Sequence, residues 1–239
     1  MRPHSGPPAP RAGQSDTRVG TDRFPDDDVP VEALGDLYRD GITACPGAFS
    51  VDWVDQVGED IDAAFREARS RPDGAVGRGP ERWYVEIHPE QLRGFVDLVT
   101  HPWVVAVCRA VLGPDYEIVE LGFDIPFPGA AMQPWHRDFP RYERRAVRKY
   151  PRRGDISARS ALTIHRGTPN VSSLARPVLV LGVDAPGAGN ASHHDMAVTR
   201  GYWASLPELV RAHLPCPVVD TLVPIRQKHT IEGLVMGAE

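Results

Sequence analysis

The stretch Gln133-Pro134-Trp135-His136-Arg137-Asp138 governs the reading of the chain. Read as a strand, it sends residues two apart to one face, so the His136 imidazole and the Asp138 carboxylate converge and can take two neighbouring positions on a metal ion. Alone, an H-x-D pattern is weak evidence, because so short a motif arises often by chance. A second stretch, Leu162-Thr163-Ile164-His165-Arg166-Gly167, alternates in the same way, with Thr163 and His165 on one face and Leu162 and Ile164 on the other. His165, read alone, is a hydrogen-bonded histidine at a strand-to-turn junction. Read with His136 and Asp138, it completes two histidines and one carboxylate from separate strands, the facial triad that leaves positions open on non-haem Fe(II).

Eleven positions beyond His165, Arg176 leads into Pro177-Val178-Leu179-Val180-Leu181. An arginine entering a buried strand is costly unless an anion meets it. Its planar fork suits a carboxylate held by two parallel hydrogen bonds. A surface Asp or Glu is the alternative partner.

Working outward, residues 116–127, 133–139, 155–165 and 177–183 are β-branched or alternating and bounded by Gly, Pro and Asn, which predicts strands. The preceding half reads as helices. A short helix over 31–39 is closed by Gly41 and followed by a strand over 42–45; Ser50 caps a helix over 51–70 with Val54, Val57, Ile61, Phe65 and Ala68 on one face. Trp83, Val85 and Ile87 alternate, helices open near Pro89 and Pro102, and Gly113 ends the second of these. A last helix over 196–213 and a strand-like piece over 218–225 complete the pattern. In His193-His194-Asp195, a second H-x-D, Asp195 or Ser192 reads as the cap of that last helix rather than as a metal ligand. His88, His101, His213 and His229 have no spacing partner and read as structural or exposed. Helices first and clustered strands afterwards indicate an α+β or mainly-β domain with helices on one side.

Residues 1–30, rich in Pro, Gly, Ser and Asp, hold too little apolar surface to offset their ordering entropy and read as a disordered tail; residues 31–239 read as a single domain. With 239 residues, 41% of them hydrophobic, the chain can build a core without disulfide or metal staples, so a metal would serve chemistry. Cys45, Cys108 and Cys216, odd in number and widely spaced, fit neither a disulfide framework nor a structural zinc site, and indicate a reducing compartment. The longest apolar run, 178–183, is far short of the roughly 20 residues of a membrane span. The opening MRPHSGPPAPRAGQ has no apolar stretch behind its charges, so the expected location is cytoplasmic, with no membrane partner. A net charge of -5 argues against nucleic acid as a partner. Six Arg, one Lys and one Glu are nevertheless packed into 141–153, a solvated loop or a lure for an anionic substrate.

The order H-x-D, His, then Arg resembles the phytanoyl-CoA dioxygenase family of Fe(II)/2-oxoglutarate-dependent oxygenases. Tyr38-Arg39-Asp40-Gly41 ahead of a short strand and helix is similar to that family's N-terminal part, as is His101-Pro102 followed by Val111-Leu112-Gly113-Pro114-Asp115. His165-Arg166-Gly167-Thr168-Pro169-Asn170, then Arg176, is similar to its distal-histidine segment. The resemblance implies a mainly-β fold with flanking α-helices, a double-stranded β-helix of the jelly-roll, cupin-like kind. It implies Fe(II) held by His136, Asp138 and His165, and 2-oxoglutarate bound through Arg176. Thr163 is a candidate cosubstrate contact, or simply a β-former. The implied reaction consumes O2, decarboxylates 2-oxoglutarate to succinate and hydroxylates a small organic molecule. Asp138 bears on that outcome, because relatives that halogenate lack the carboxylate. Two other readings use the same residues: a jelly-roll protein that binds but has lost turnover, and a zinc hydrolase.

Only the 26 residues 139–164 lie between Asp138 and His165. In the resembled fold several strands pass between these ligands, and four tight strands with turns need roughly 26 to 35 residues. With 155–164 forming the approach to His165, the middle strands read as abridged. The site would then be short but closed, completed by a second protomer, or left open by a deletion.

Overall fold

The computed structural model describes residues 31–136 and 151–228. The expected tail over 1–30, Asp138, most of the basic run and His229 lie outside the described residues. The first half follows its sequence pattern closely. Helix α1 (Val31–Asp40) ends at Gly41, whose φ of +73° suits glycine and whose N–H donates to the Leu37 carbonyl at 2.9 Å. Strand β1 (Ile42–Cys45) leads to α2 (Val51–Arg69), where the Ser50 hydroxyl accepts from the Trp53 N–H at 3.2 Å and Val57, Ile61, Ala64 and Ala68 form the buried stripe. Strands β2 (Val76–Gly77) and β3 (Arg82–Glu86) follow, then α3 (Phe95–Val99) and α4 (Pro102–Leu112), which His101 caps through Nδ1.

The main sheet is antiparallel in the order β2-β3-β4-β6, with β4 spanning Glu117–Pro126 and β6 spanning Val178–Asp184. Its register pairs Val85 with Phe123 and Phe123 with Leu179, and strand alternation makes the sheet two-faced. Val85, Leu121, Phe123 and Ile125 bury one face against Ile61 and Ala64 of α2, Phe95 and Leu98 of α3 and Trp103 and Val107 of α4. The opposite face carries Arg82, Tyr84 and Glu86 of β3 and Glu120, Gly122 and Asp124 of β4. A side chain at Gly122 would meet the Tyr84 hydroxyl at 2.5 Å, and that hydroxyl is hydrogen-bonded to Glu120. Burial foremost, with the neighbouring Glu120 charge, pushes the Tyr84 phenol well above its ordinary value.

Strand β5 (Ile156–Arg159) pairs antiparallel with β1, from Ile42 opposite Arg159 to Cys45 opposite Ile156. The strand expected over 155–165 therefore stops at Arg159; a turn follows in which the Thr163 N–H donates to the Ser160 carbonyl, and only His165 returns to strand pairing. The last helix also differs from expectation. It is split into α5 (Arg200–Ser205) and α6 (Glu208–Ala212), because Pro207 has no N–H and holds Leu206 extended. Its cap is Thr199, not Asp195 or Ser192, and the terminal strand is only β8 (Val218–Val219), parallel to β7 (Val198–Thr199). The sheets formed by the described residues do not close into a barrel, and no described helix is long and apolar enough to cross a membrane.

Asp195 instead offers its N–H to the buried Glu86 at 2.9 Å, beside His194, whose Nδ1 lies 3.4 Å from the same carboxylate and whose Nε2 lies 3.9 Å from Glu120. Burial by itself lowers the His194 pKa, but the Glu86 hydrogen bond and the charges of Glu120, Glu86 and Asp184 outweigh it, and the net displacement is upward. A histidine raised on folding stabilises the native state fully below its unfolded value of about 6.5, and that contribution fades as pH climbs through the folded value. Thermal melts across this range should show an increment present at acidic pH and lost on the alkaline side. His194→Gln should flatten it; a His194→Gln profile parallel to wild type would contradict the linkage.

Candidate metal and cosubstrate site

Beyond Pro126 the chain reverses through a turn at Phe127–Ala130 and runs back alongside residues 165–170. The Gly129 N–H donates to the Asn170 carbonyl at 3.0 Å, the Gln133 N–H to the Gly167 carbonyl at 3.0 Å, and His136 and His165 exchange both backbone bonds, at 2.9 and 2.8 Å. The exchange makes them a directly opposed antiparallel pair. Their rings lie 4.2 Å apart between centroids with a 53° tilt, so the two imidazoles predicted from separate stretches of sequence stand together.

Each imidazole is held from behind. His136 Nδ1 lies 2.9 Å from the Pro134 carbonyl and His165 Nδ1 lies 3.0 Å from the Thr163 carbonyl, in both cases two residues upstream. A carbonyl requires N–H at Nδ1, which makes Nε2 the ring atom that carries the lone pair and sets the tautomer that metal-binding histidines use. At His165, Arg159 Nη1 also approaches Nδ1, at 2.9 Å. One ring nitrogen has one in-plane site, so the carbonyl and the guanidinium compete, and a cation on Nε2 favours the carbonyl. The donor set therefore fits a divalent cation on the evidence of these two imidazoles. Among the described residues no group of three His, Cys, Asp or Glu could hold an ion; Asp138, the expected third ligand, lies outside them.

Arg176 stands at the entrance to β6, its N–H on the Pro126 carbonyl at 3.1 Å and its Nη2 within 3.3 Å of the Thr168 carbonyl and 3.4 Å of the Thr168 hydroxyl. Thr168 is three residues past His165, so the arginine is tethered to the distal-histidine segment. Thr163 is engaged elsewhere: its hydroxyl donates to the Gly41 carbonyl at 3.0 Å. Gln133 is buried and accepts from the Gly167 N–H at 2.8 Å, while Trp135 is half exposed with the Arg166 guanidinium 4.2 Å above its ring.

The sequence reading passed over Arg82 and Asp124. Arg82 Nη1 donates to Asp124 at 2.8 Å and Nη2 to the Thr168 carbonyl at 2.8 Å, with the guanidinium almost entirely buried. Burial is the largest influence on both, lowering Arg82 and raising Asp124, and the charge and hydrogen bond of each partner oppose the other's shift. The charges of Arg82, Arg78 and Arg176 all act on this one carboxylate and oppose the upward push of burial. The signal was available in the alternation Arg82-x-Tyr84-x-Glu86, ionisable groups on every second position of a strand whose other face is apolar. Among the histidines set aside, His88 bonds the Val223 carbonyl and the Ala197 N–H, and His213 stacks on Tyr116 with centroids 3.8 Å apart.

The chain thus combines an antiparallel sheet backed by helices with two opposed histidines on the segments beyond it. The model of the phytanoyl-CoA dioxygenase family matches residues 37–166, from α1 through His165. The chain belongs to that family, whose members use iron, 2-oxoglutarate and O2. It is similar in fold to AviO1 from Streptomyces viridochromogenes Tue57, with a TM-score of 0.53 and 16% identity over 66% of this chain and 96% of that one. It is similar also to the epimerase SnoN in complex with Fe3+, alpha ketoglutarate and nogalamycin RO, with a TM-score of 0.52 and 15% identity over 66% of this chain and 91% of that one.

Gly167 is where the sheet and the histidine ladder touch. A Cβ there would lie 2.1 Å from Arg82 Nη1 and 2.6 Å from Gln133 Oε1. Gly167→Ala should cost about 1–3 kcal/mol in denaturant unfolding through this overlap; an unchanged midpoint would contradict the contact.

Proposed function

We propose that this chain is an Fe(II)/2-oxoglutarate-dependent dioxygenase that hydroxylates a small organic molecule. The observation that carries the reading is the opposed pair His136 and His165, each with Nδ1 on a backbone carbonyl. Asp138, two residues past His136, is proposed as the carboxylate ligand, its charge offsetting that of the cation. With substrate present, the iron would couple decarboxylation of 2-oxoglutarate to oxidation of a C–H bond. Arg176 is proposed to bind the remote carboxylate of 2-oxoglutarate through its planar fork. Thr163 could contact the cosubstrate only by giving up Gly41. A small-molecule substrate and a cytoplasmic location belong to the same proposal.

Succinate formed from 2-oxoglutarate in air with added Fe(II), followed by mass spectrometry, tests the reading without a known substrate. Wild type should form succinate in an iron-dependent way, and His136→Ala and Asp138→Ala should abolish it. Arg176→Ala should raise the 2-oxoglutarate requirement about tenfold to a hundredfold, the worth of a charge-assisted hydrogen bond. Undiminished succinate from His136→Ala would refute the assignment. Metal binding without succinate would favour a jelly-roll protein that retains the site and lacks turnover.

A further inference from the structure

Arg82 is hydrogen-bonded to neither histidine, yet it meets the segment that carries one of them at two points. Its Nη2 donates to the Thr168 carbonyl at 2.8 Å, its Nη1 rests where a Gly167 side chain would stand, and Gly167 is itself hydrogen-bonded to the buried Gln133 of the facing segment. The Thr168 carbonyl is shared with Arg176, so one oxygen receives both arginines. Asp124 pins Arg82 from the other side, and the pair is held tightly enough that Arg82 Nε and Asp124 Oδ1 are buried with no hydrogen-bond partner among the described residues. Burying such atoms is costly, so the geometry of the pair matters to the chain.

We infer that Arg82, oriented by Asp124, is a positioning residue that sets the distal histidine and the anion-binding arginine together, through the Gly167–Thr168 backbone. The inference rests on the proposed roles of His165 and Arg176. It separates from them because the clamp is a property of the chain before any metal binds. A lysine at this position would keep the charge but, as a point donor on a flexible stem, could not span Asp124 and Thr168 in the same geometry.

The test uses Arg82→Lys in the full chain, with Co(II) as the metal probe followed by its visible absorption, 2-oxoglutarate binding by calorimetry, and amide exchange at His136, His165 and Gly167. Arg82→Lys should weaken Co(II) about tenfold to a hundredfold, the usual penalty for losing a group that orients a ligand, and weaken 2-oxoglutarate along with it. It should also speed exchange of the three amides about tenfold. Arg176→Ala, by contrast, should weaken 2-oxoglutarate while leaving Co(II) affinity within about twofold. A folded Arg82→Lys protein with wild-type affinities and wild-type exchange would overturn the inference. If wild type binds no Co(II), the functional reading falls, and exchange alone decides whether the clamp exists. Should Arg82→Lys fail to fold, the isosteric Asp124→Asn carries the same measurements with a smaller expected loss. Failure of both to fold would make the pair a support of the whole domain and overturn the inference.

Discussion

Two backbone hydrogen bonds exchanged between His136 and His165 hold together parts of the chain that come from different sides of the fold. His136 follows the turn out of β4, an interior strand of the main sheet. His165 follows β5, which is paired not with that sheet but with β1 near the N-terminus. Without the ladder that runs from Gly129 and Asn170 to the two histidines, the rings would belong to independent segments. Both imidazoles depend on this register, since a slip of one residue would send each ring to the opposite face. The Nδ1 contacts with carbonyls two residues upstream then fix what the register has brought together.

The sheet beneath explains why such a ladder can be held. Its apolar face takes the helices, and that burial supplies the core; its other face is free to carry ionisable groups. Arg82 and Asp124 use that freedom to reach across to Gly167 and Thr168, and Arg176 reaches the same carbonyl from the mouth of β6. Stability and chemistry thus occupy opposite faces of the same strands. The cost of burying Arg82 is met by charge pairing and by a backbone carbonyl, and the benefit appears at the end of the sheet, where the anion is expected.

Much of this was legible in the sequence. Ser50, Gly41 and Pro102 marked helix ends because capping and φ restrictions act within a few residues. The two histidines expected on separate stretches do stand opposed, but the alternation expected around them does not form: only His136 and His165 pair, and Thr163 lies in a turn. What could not be read depended on tertiary choice. The alternation of 155–165 lapses only at Ser160 and Ala161, and there the chain turns, because Thr163 and Ser160 find partners at Gly41, far away in sequence. The last helix was overextended across Pro207, a local signal given too little weight against the apolar periodicity around it. Arg82 was missed because a buried arginine announces itself only when its partners, Asp124 and the Thr168 carbonyl, are in view. The sparse middle of the chain was legible as a shortage of residues, and β5 is the strand that the described part of 139–164 supplies.

The most direct measurement is an anaerobic titration of the protein with Fe(II) and 2-oxoglutarate, following the visible charge-transfer absorption that arises when both carboxylate and keto oxygens of the cosubstrate chelate the metal. The account predicts a saturable band in wild type that is lost in His165→Ala, since His165 is one of the proposed metal ligands. A folded wild-type protein that develops no band, or a His165→Ala protein that keeps it, would contradict the account.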